Sequence, residues 1–160
     1  MAPEVLHRVI YGTSSPTPFQ KSLLTIRPAI LHSYIRHKVL HVDYPAIIPS
    51  NTSSCVRGTL VTGLTDGDIW RLDIFEGDEY DRRSVTVYPL ETVGDDAGKG
   101  NVEGNEAVVA QTYVWIAGEK RLEKEEWDFG AFVREKMWRW AGKEAENEGE
   151  FNGMLCDFPV

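Results

Sequence analysis

The sequence has too few cysteines for a disulfide framework and too few basic residues for a nucleic-acid-binding surface. Its 160 residues include 2 cysteines, Cys55 and Cys156, without metal-ligand spacing. Lys and Arg number 17 against 25 Asp and Glu, giving a net charge of −8. This charge argues against nucleic acid and anionic membranes as partners. No apolar run approaches 18 residues, so we expect no membrane-spanning segment.

Several catalytic motifs are also missing. There is no Gly-x-Ser-x-Gly elbow typical of a covalent hydrolase, and no Gly-Lys-Ser/Thr ending typical of a phosphate-binding loop. The 4 histidines are scattered without zinc spacing, so we expect no metal site. The first ten residues carry no apolar secretory segment. With two lone thiols, this predicts a reducing, cytoplasmic setting.

The remaining composition favours a packed globular protein. Hydrophobic residues make up 42% of the chain, and there are 5 tryptophans. A chain of this length can bury about two thirds of its unfolded surface. We predict one domain over residues 1–160, with its core over 5–141 and a polar tail over 142–160.

Apolar periodicity predicts an α+β arrangement of about five or six strands and two main helices. Residues 91–105 are rich in Gly, Asp and Asn and predict a flexible hairpin loop. The predicted strands fall in residues 5–11, 29–42, 55–63, 84–90 and 107–116, and the predicted helices begin at Thr65 and Lys124.

Ionisable side chains are most concentrated in residues 72–83, LDIFEGDEYDRR. Crowded carboxylates raise one another's pKa, and adjacent arginines lower it. Such a cluster can hold one carboxyl group ready to move protons near neutral pH. The alternative interpretation is a solvated charged turn between a helix and a strand. Its acidic members are Asp73, Glu76, Asp78, Glu79 and Asp81.

Glu76 has a distinctive predicted position in this cluster. Thr65 is a suitable N-cap, and Gly77 is a suitable C-terminal stop. Glu76 then falls in the last helical turn, beside the negative end of the helix dipole, where a carboxylate is unfavourable. This placement favours the protonated form and predicts a raised pKa, which a general acid/base at neutral pH needs.

A second candidate element is the turn Gly12-Thr13-Ser14-Ser15-Pro16, which follows the predicted strand 5–11. Small residues after a strand leave backbone N–H groups open, and these can hold an anion such as a carboxylate. An ordinary Gly/Ser/Pro turn is the alternative interpretation.

The order of these segments resembles the gamma-glutamylcyclotransferase-like superfamily. The chain is most similar to its plant and fungal avirulence-induced-gene-like branch, which is similar to the gamma-glutamylamine cyclotransferases. The resemblance covers about residues 5–140, and Ser14 stands where the family has leucine. It rests on YGT at 11–13, DYPAI at 43–47, VRGTL at 56–60, LDIFEG at 72–77, EYDR at 79–82 and YVW at 113–115.

The resemblance implies a small mixed β-barrel of about five to six strands with helices packed outside. It also implies a cyclotransferase that acts on a small γ-glutamyl amide and needs no cofactor. The substrate's α-amine attacks its own side-chain amide carbonyl, and 5-oxoproline and an amine or amino acid are released. We expect a monomer or weak homodimer.

The resemblance also implies roles for individual residues. Glu76 would be the single general acid/base, and Glu79 and Arg82 would brace it. The backbone of Tyr11, Gly12, Thr13 and Ser14 would hold the substrate's α-carboxylate. The pocket walls would come from Tyr44, Tyr80 and Tyr113.

Two other functions stay open at this point. One is a non-catalytic binding or regulatory module, because fold and function separate readily. The other is a biosynthetic enzyme that removes a protecting glutamyl group from a specialised amine. The sequence does not identify the leaving amine.

Overall fold

A computed structural model of the protein describes residues 1–95, 97–127 and 129–141. The described residues form eight strands and five α-helices. The helices are α1 Pro3–Tyr11, α2 Pro18–Ser22, α3 Asp66–Glu76, α4 Phe129–Glu135 and α5 Met137–Ala141. The strands are β1 Thr25–His32, β2 Tyr34–Val39, β3 Pro45–Pro49, β4 Cys55–Thr62, β5 Tyr80–Thr92, β6 Val102–Glu103, β7 Val108–Trp115 and β8 Leu122–Glu126.

The strands form two antiparallel sheets. In the larger sheet the order is β4-β1-β5-β6, and β7 also pairs with β5. The smaller sheet has the order β3-β2-β8. The sheets curl into a half-barrel that carries helices, which confirms the predicted α+β class. The described strands number eight rather than five or six, and all their pairings are antiparallel.

The first predicted strand is wrong, because Pro3–Tyr11 is a helix. Pro3 lies in the first turn, where a missing N–H costs nothing, and Glu4 adds favourable negative charge there. Leu6 and Ile10 are both buried, and their spacing of four places them on one helix face. A short apolar run fits both a strand and a helix, so its own pattern could not decide.

The predicted long helix over 124–141 is also wrong in its first part. Leu122–Glu126 forms β8, which pairs with β2 and so satisfies its backbone groups within a sheet. The helical region is divided into α4 and α5, and the predicted tail 142–160 lies outside the described residues. The predicted loop 91–105 contains the short strand β6, paired with the end of β5.

Two apolar clusters connect these elements. In one cluster Leu6 and Ile10 of α1 pack with Leu72 of α3. In the other, Val39 and Ala46 pack with Trp115 at the end of β7. The first cluster fixes α3 against α1, and the second lies under the loop regions that follow β2 and β7. No helix among the described residues is long and apolar enough to cross a membrane.

Gly12 ends α1 in the left-handed region, and this gives a stability prediction. Its φ is 72°, and its N–H donates to the Arg8 carbonyl at 2.9 Å. A Cβ at Gly12 would meet no atom within 4 Å, so substitution should cost backbone strain only. We expect Gly12→Val to lower the free energy of unfolding by about 1–2 kcal/mol, measured by urea denaturation. Gly12→Asn should cost less, and an unchanged midpoint for Gly12→Val would contradict the left-handed cap.

Candidate active site

Helix α3 holds the acidic cluster, and its N-terminus is fixed by a reciprocal cap. The Asp68 N–H donates to the Thr65 hydroxyl at 3.2 Å, and the Thr65 N–H donates to the Asp68 carboxylate at 3.0 Å. The predicted Thr65 cap is therefore confirmed, with aspartate in the position that Glu or Gln usually takes. The helix ends at Gly77, whose φ is 69°, so Glu76 is its last residue, as predicted.

Three carboxylates follow one another at a spacing of three residues. Asp73 and Glu76 lie on neighbouring turns of α3, and Glu79 ends the 3-10 turn Gly77–Glu79. Residues three apart on a helix are neighbours on its surface. The fold therefore gathers three acids at the C-terminal end of α3.

Asp73 is held by groups from the two long strands of the larger sheet. The Arg82 Nε of β5 lies 2.9 Å from the Asp73 carboxylate. The Tyr113 hydroxyl of β7 donates to the same oxygen at 2.7 Å. Arg82 and Tyr113 are direct partners in the β5–β7 register, which places both side chains beside α3.

Glu79 is held in the same manner by a different pair. The Arg121 guanidinium forms an ion pair and hydrogen bond with one carboxylate oxygen. The Tyr44 hydroxyl donates to the other oxygen at 3.3 Å. Glu79 thus links the segment before β3 to the segment before β8.

Glu76, between these two paired carboxylates, has neither an arginine nor a tyrosine partner. Within the described parts of the chain, its carboxyl group accepts no hydrogen bond and forms no ion pair. Its side chain is partly buried, and desolvation raises the pKa of Glu76 to about 7. The amino group of Met1 has the opposite, smaller effect. Near neutral pH, Glu76 can both accept and donate a proton.

Two of the three tyrosines predicted as pocket walls, Tyr80 and Tyr113, lie near Glu76, and the third, Tyr44, contacts Glu79. Tyr80 donates to the Pro45 carbonyl at 2.9 Å and packs edge-on against Trp115. Burial raises the pKa of Tyr80 and of Tyr113, and the nearby charge of Glu76 adds to both shifts. Tyr80 and Tyr113 are therefore neutral neighbours of Glu76, and the structure brings them together with it.

The structure does not bring the turn after Tyr11 to Glu76. Burial raises the pKa of Tyr11, and the charge of Asp68 at the start of α3 adds to the shift. Glu76, at the other end of α3, interacts with the amino group of Met1. Helices α1 and α3 are thus antiparallel neighbours. Tyr11 lies near Asp68, which precedes Glu76 by eight residues, or about 12 Å along the axis of α3.

The local geometry of this turn also differs from the prediction. It follows the C-terminus of a helix, where the dipole disfavours an anion. The Gly12 N–H is bonded to Arg8, and the Ser15 N–H is bonded to the Thr13 hydroxyl at 3.2 Å. The Tyr11 hydroxyl donates to the Gln20 carbonyl at 3.1 Å. The predicted cradle over Tyr11–Ser14 is thus separated from the acidic cluster.

Arg121 is the main site residue that sequence reasoning missed. It lies in the 3-10 turn Glu119–Arg121, and it also stacks over Trp115, with its guanidinium carbon 5.2 Å from the ring centroid. It is 42 residues from Glu79, so no local pattern relates the two. Arg121 lies in a polar loop between β7 and β8, and no sequence motif there marks it as a functional residue.

The raised pKa of Glu76 predicts how stability depends on pH. A carboxyl group with a higher pKa in the folded state lowers stability as pH rises from about 4.3, its unfolded value, to about 7. Glu76→Gln removes this effect. Relative to the native protein, the variant should therefore gain thermal stability at pH 8 compared with pH 5, by about 5–10 °C.

An exposed carboxylate nearby provides the control. Asp78→Asn removes an exposed carboxylate two residues away, and it is the control for the loss of one acidic side chain from this segment. Thermal unfolding followed by circular dichroism measures both variants. A Glu76→Gln gain that is as large at pH 5 as at pH 8 would contradict the raised pKa.

Comparison with known proteins agrees with this architecture. Residues 9–129 match the family described as gamma-glutamyl cyclotransferase, AIG2-like. The Arabidopsis thaliana Protein AIG2 C is 32% identical over 102 residues, covering 64% of this chain and 54% of that protein. Protein AIG2 A of the same plant is 28% identical over 132 residues, covering 80% and 70%.

A solved relative has the same fold. An Arabidopsis thaliana protein known from its solution structure aligns with a TM-score of 0.53 and 25% identity. The alignment covers 99% of this chain and 90% of that one.

The curled antiparallel sheets with their helices define an α+β protein with the fold of the AIG2-like proteins. The chain belongs to the gamma-glutamyl cyclotransferase, AIG2-like family. It spans about half the length of the curated relatives first matched, 54%, 56% and 57%.

Proposed function

We propose that the protein is a cyclotransferase that converts a γ-glutamyl amide to 5-oxoproline and a free amine or amino acid. Family membership supports this reaction class. The observation that carries the proposal is the contrast within the acidic cluster. Asp73 and Glu79 each have an arginine and a tyrosine, whereas Glu76 has neither and has a pKa of about 7.

The proposed chemistry needs one proton acceptor that later becomes a donor. The Glu76 carboxylate takes a proton from the substrate's α-ammonium, whose ordinary pKa is about 8. The freed amine attacks the γ-carbonyl carbon, a C–N bond forms, and a tetrahedral intermediate results. Glu76 then gives its proton to the amide nitrogen, the old C–N bond breaks, and the amine leaves. The ring nitrogen gives up its second proton to the departing amine, which leaves as an ammonium group, so protons and charge balance over the cycle.

The substrate α-ammonium and Glu76 have similar pKa values, so the transfer of a proton between them changes the free energy little. Proton transfer is most efficient when the catalytic pKa lies near the working pH. Burial lowers the pKa of the Met1 amino group, and the charge of Glu76 opposes this effect by attracting the ammonium form. A substrate ammonium would meet the same attraction from Glu76.

The paired carboxylates and the tyrosines have supporting roles in the proposal. Arg82 and Arg121 compensate the charges of Asp73 and Glu79. Glu76 is the one of the three acids that has neither an arginine nor a tyrosine partner among the described residues. Because both reacting groups belong to one molecule, the residues that line the substrate pocket mainly hold the substrate in a conformation in which its amine can attack. We assign this pocket lining to Tyr44, Tyr80 and Tyr113.

The turn Tyr11–Ser14 has no part in this mechanism. A γ-glutamyl group extends only about 5–6 Å from its α-carboxylate to its γ-carbonyl, from the ordinary reach of a few bonds. It cannot place its amine at Glu76 and its carboxylate at a turn about 12 Å away. The role expected for this turn came from the family resemblance and from a predicted strand, and the structure has α1 in place of that strand.

The direct test measures 5-oxoproline release from a panel of compounds. The panel contains γ-glutamyl amino acids, glutathione and γ-glutamyl amines, including an ε-lysine adduct. We expect turnover of at least one member by the native protein. The absence of 5-oxoproline from every member would refute the proposal and favour a binding module.

A further inference from the structure

A cleft of ≈ 320 Å³ lies between helices α1, α3 and α5, outside the acidic cluster. This volume is at the lower end for small-molecule sites, so it suits one amino-acid-sized group. Most of its lining is apolar, and two arginines are part of the wall. The lining residues are Val5, Arg8, Val9, Phe75, Arg139 and Trp140.

The cleft adjoins the proposed catalytic group. Phe75, in its wall, directly precedes Glu76 in α3. Trp140 packs edge-on against Phe75, with centroids 6.1 Å apart, and against Tyr44, with centroids 5.9 Å apart. Tyr44 is the hydrogen-bond partner of Glu79. The cleft therefore lies beside the last turn of α3, which carries Glu76, and beside the tyrosine that holds Glu79.

The charges in the cleft select an anion. Arg8 is exposed, and within the described residues it forms no ion pair. Arg139 is partly committed, because it lies 3.8 Å from the Asp43 carboxylate and over the Trp138 ring. The chain as a whole has a net charge of −8, so the guanidinium of Arg8 gives the cleft a positive charge that the rest of the surface does not lead one to expect. It suits a molecule that combines an apolar body with a carboxylate.

The glutamyl end of the substrate fits this cleft less well. Its α-ammonium would lie beside two guanidinium groups and be repelled by both. The same ammonium is needed at Glu76, where it is attracted. The leaving group of a γ-glutamyl amino acid carries a carboxylate and no ammonium while the amide bond is intact.

We propose that this cleft binds the leaving group, and that it favours apolar amino acids whose free carboxylate pairs with Arg8. This inference depends on the proposed cyclotransferase activity. It predicts γ-glutamyl derivatives of amino acids such as leucine as better substrates than γ-glutamyl derivatives of simple amines.

Two matched substrates isolate the carboxylate. γ-Glutamyl-leucine and γ-glutamyl-isoamylamine differ only by that group. The native protein should show a kcat/KM about tenfold higher for the leucine compound, as expected for one charge-assisted hydrogen bond. Arg8→Gln should remove most of this preference by raising KM for the leucine compound, and leave the isoamylamine compound unchanged. Arg27→Gln, at an exposed arginine on β1 outside the cleft, is the control and should retain the preference.

The possible results separate the two proposals. A native enzyme that releases 5-oxoproline equally from both compounds would overturn the cleft assignment and leave the cyclotransferase intact. An Arg8→Gln variant that is impaired equally on both compounds would also overturn it, because Arg8 would then act on the glutamyl end or on the fold. No release from either compound, or from the wider panel, would refute both proposals together. Circular dichroism checks that each variant is folded.

Discussion

Glu76→Gln is expected to lower turnover of γ-glutamyl amides by at least about 100-fold and to leave the fold intact. Removal of a general acid/base typically costs about 10²–10⁴ in rate. Glutamine keeps the size and hydrogen-bonding capacity of glutamate but cannot carry the proton. Release of 5-oxoproline measures the activity, and circular dichroism with thermal unfolding measures the fold.

The flanking carboxylates provide matched controls for this result. Asp73→Asn and Glu79→Gln remove the same charge three residues away on either side. Each acts through an arginine and a tyrosine rather than on the substrate, so we expect losses of about tenfold at most. A folded Glu76→Gln protein with full activity would refute the mechanism. A dead Glu79→Gln variant beside an active Glu76→Gln variant would transfer the catalytic role to Glu79.

Acetylation of the substrate's α-amine is expected to abolish turnover completely. The α-amine is the nucleophile in the proposed reaction, and an acetamide nitrogen neither attacks the γ-carbonyl nor carries a proton for Glu76. γ-Glutamyl-leucine and its N-acetyl derivative form the matched pair. The measurement is 5-oxoproline release, with calorimetry to record whether each compound binds.

The same pair of compounds distinguishes an enzyme from a binding module. Turnover restricted to the compound with a free α-amine supports intramolecular cyclisation. Tight binding of the acetylated compound, with no turnover of any γ-glutamyl amide, would favour the binding module. Equal release of leucine from both compounds, with glutamate or N-acetylglutamate formed in place of 5-oxoproline, would show attack by water and overturn cyclisation.

Local signals explain why α3 could be predicted from the sequence. Thr65 and Asp68 form a reciprocal cap, and Gly77 supplies the positive φ that stops the helix. These features fix both ends within twelve residues, so the position of Glu76 in the last turn follows from the chain itself. The strand β4 likewise shows its alternation in the sequence.

Elements that depend on distant contacts could not be predicted in the same way. Leu122–Glu126 contains a leucine, a lysine and three glutamates, a composition that also fits a helix, and it becomes a strand because β2 has an open edge. The apolar run of α1 fits two periodicities, and packing on Leu72 decides between them. The ion pair of Arg121 with Glu79 depends on the relative placement of two turns and has no local signature.

Part of the cleft lies outside the segment that matches the family, so the cleft can vary between relatives while the matching segment is retained. The matching segment, residues 9–129, contains Glu76 and all of its tyrosine neighbours. Arg8, Arg139 and Trp140 lie outside that segment, yet they form much of the cleft. Under the proposed mechanism, relatives can exchange the terminal helices, and with them the leaving amine they accept, without altering Glu76. We expect the chemistry to be the shared property and the released amine to be the variable one.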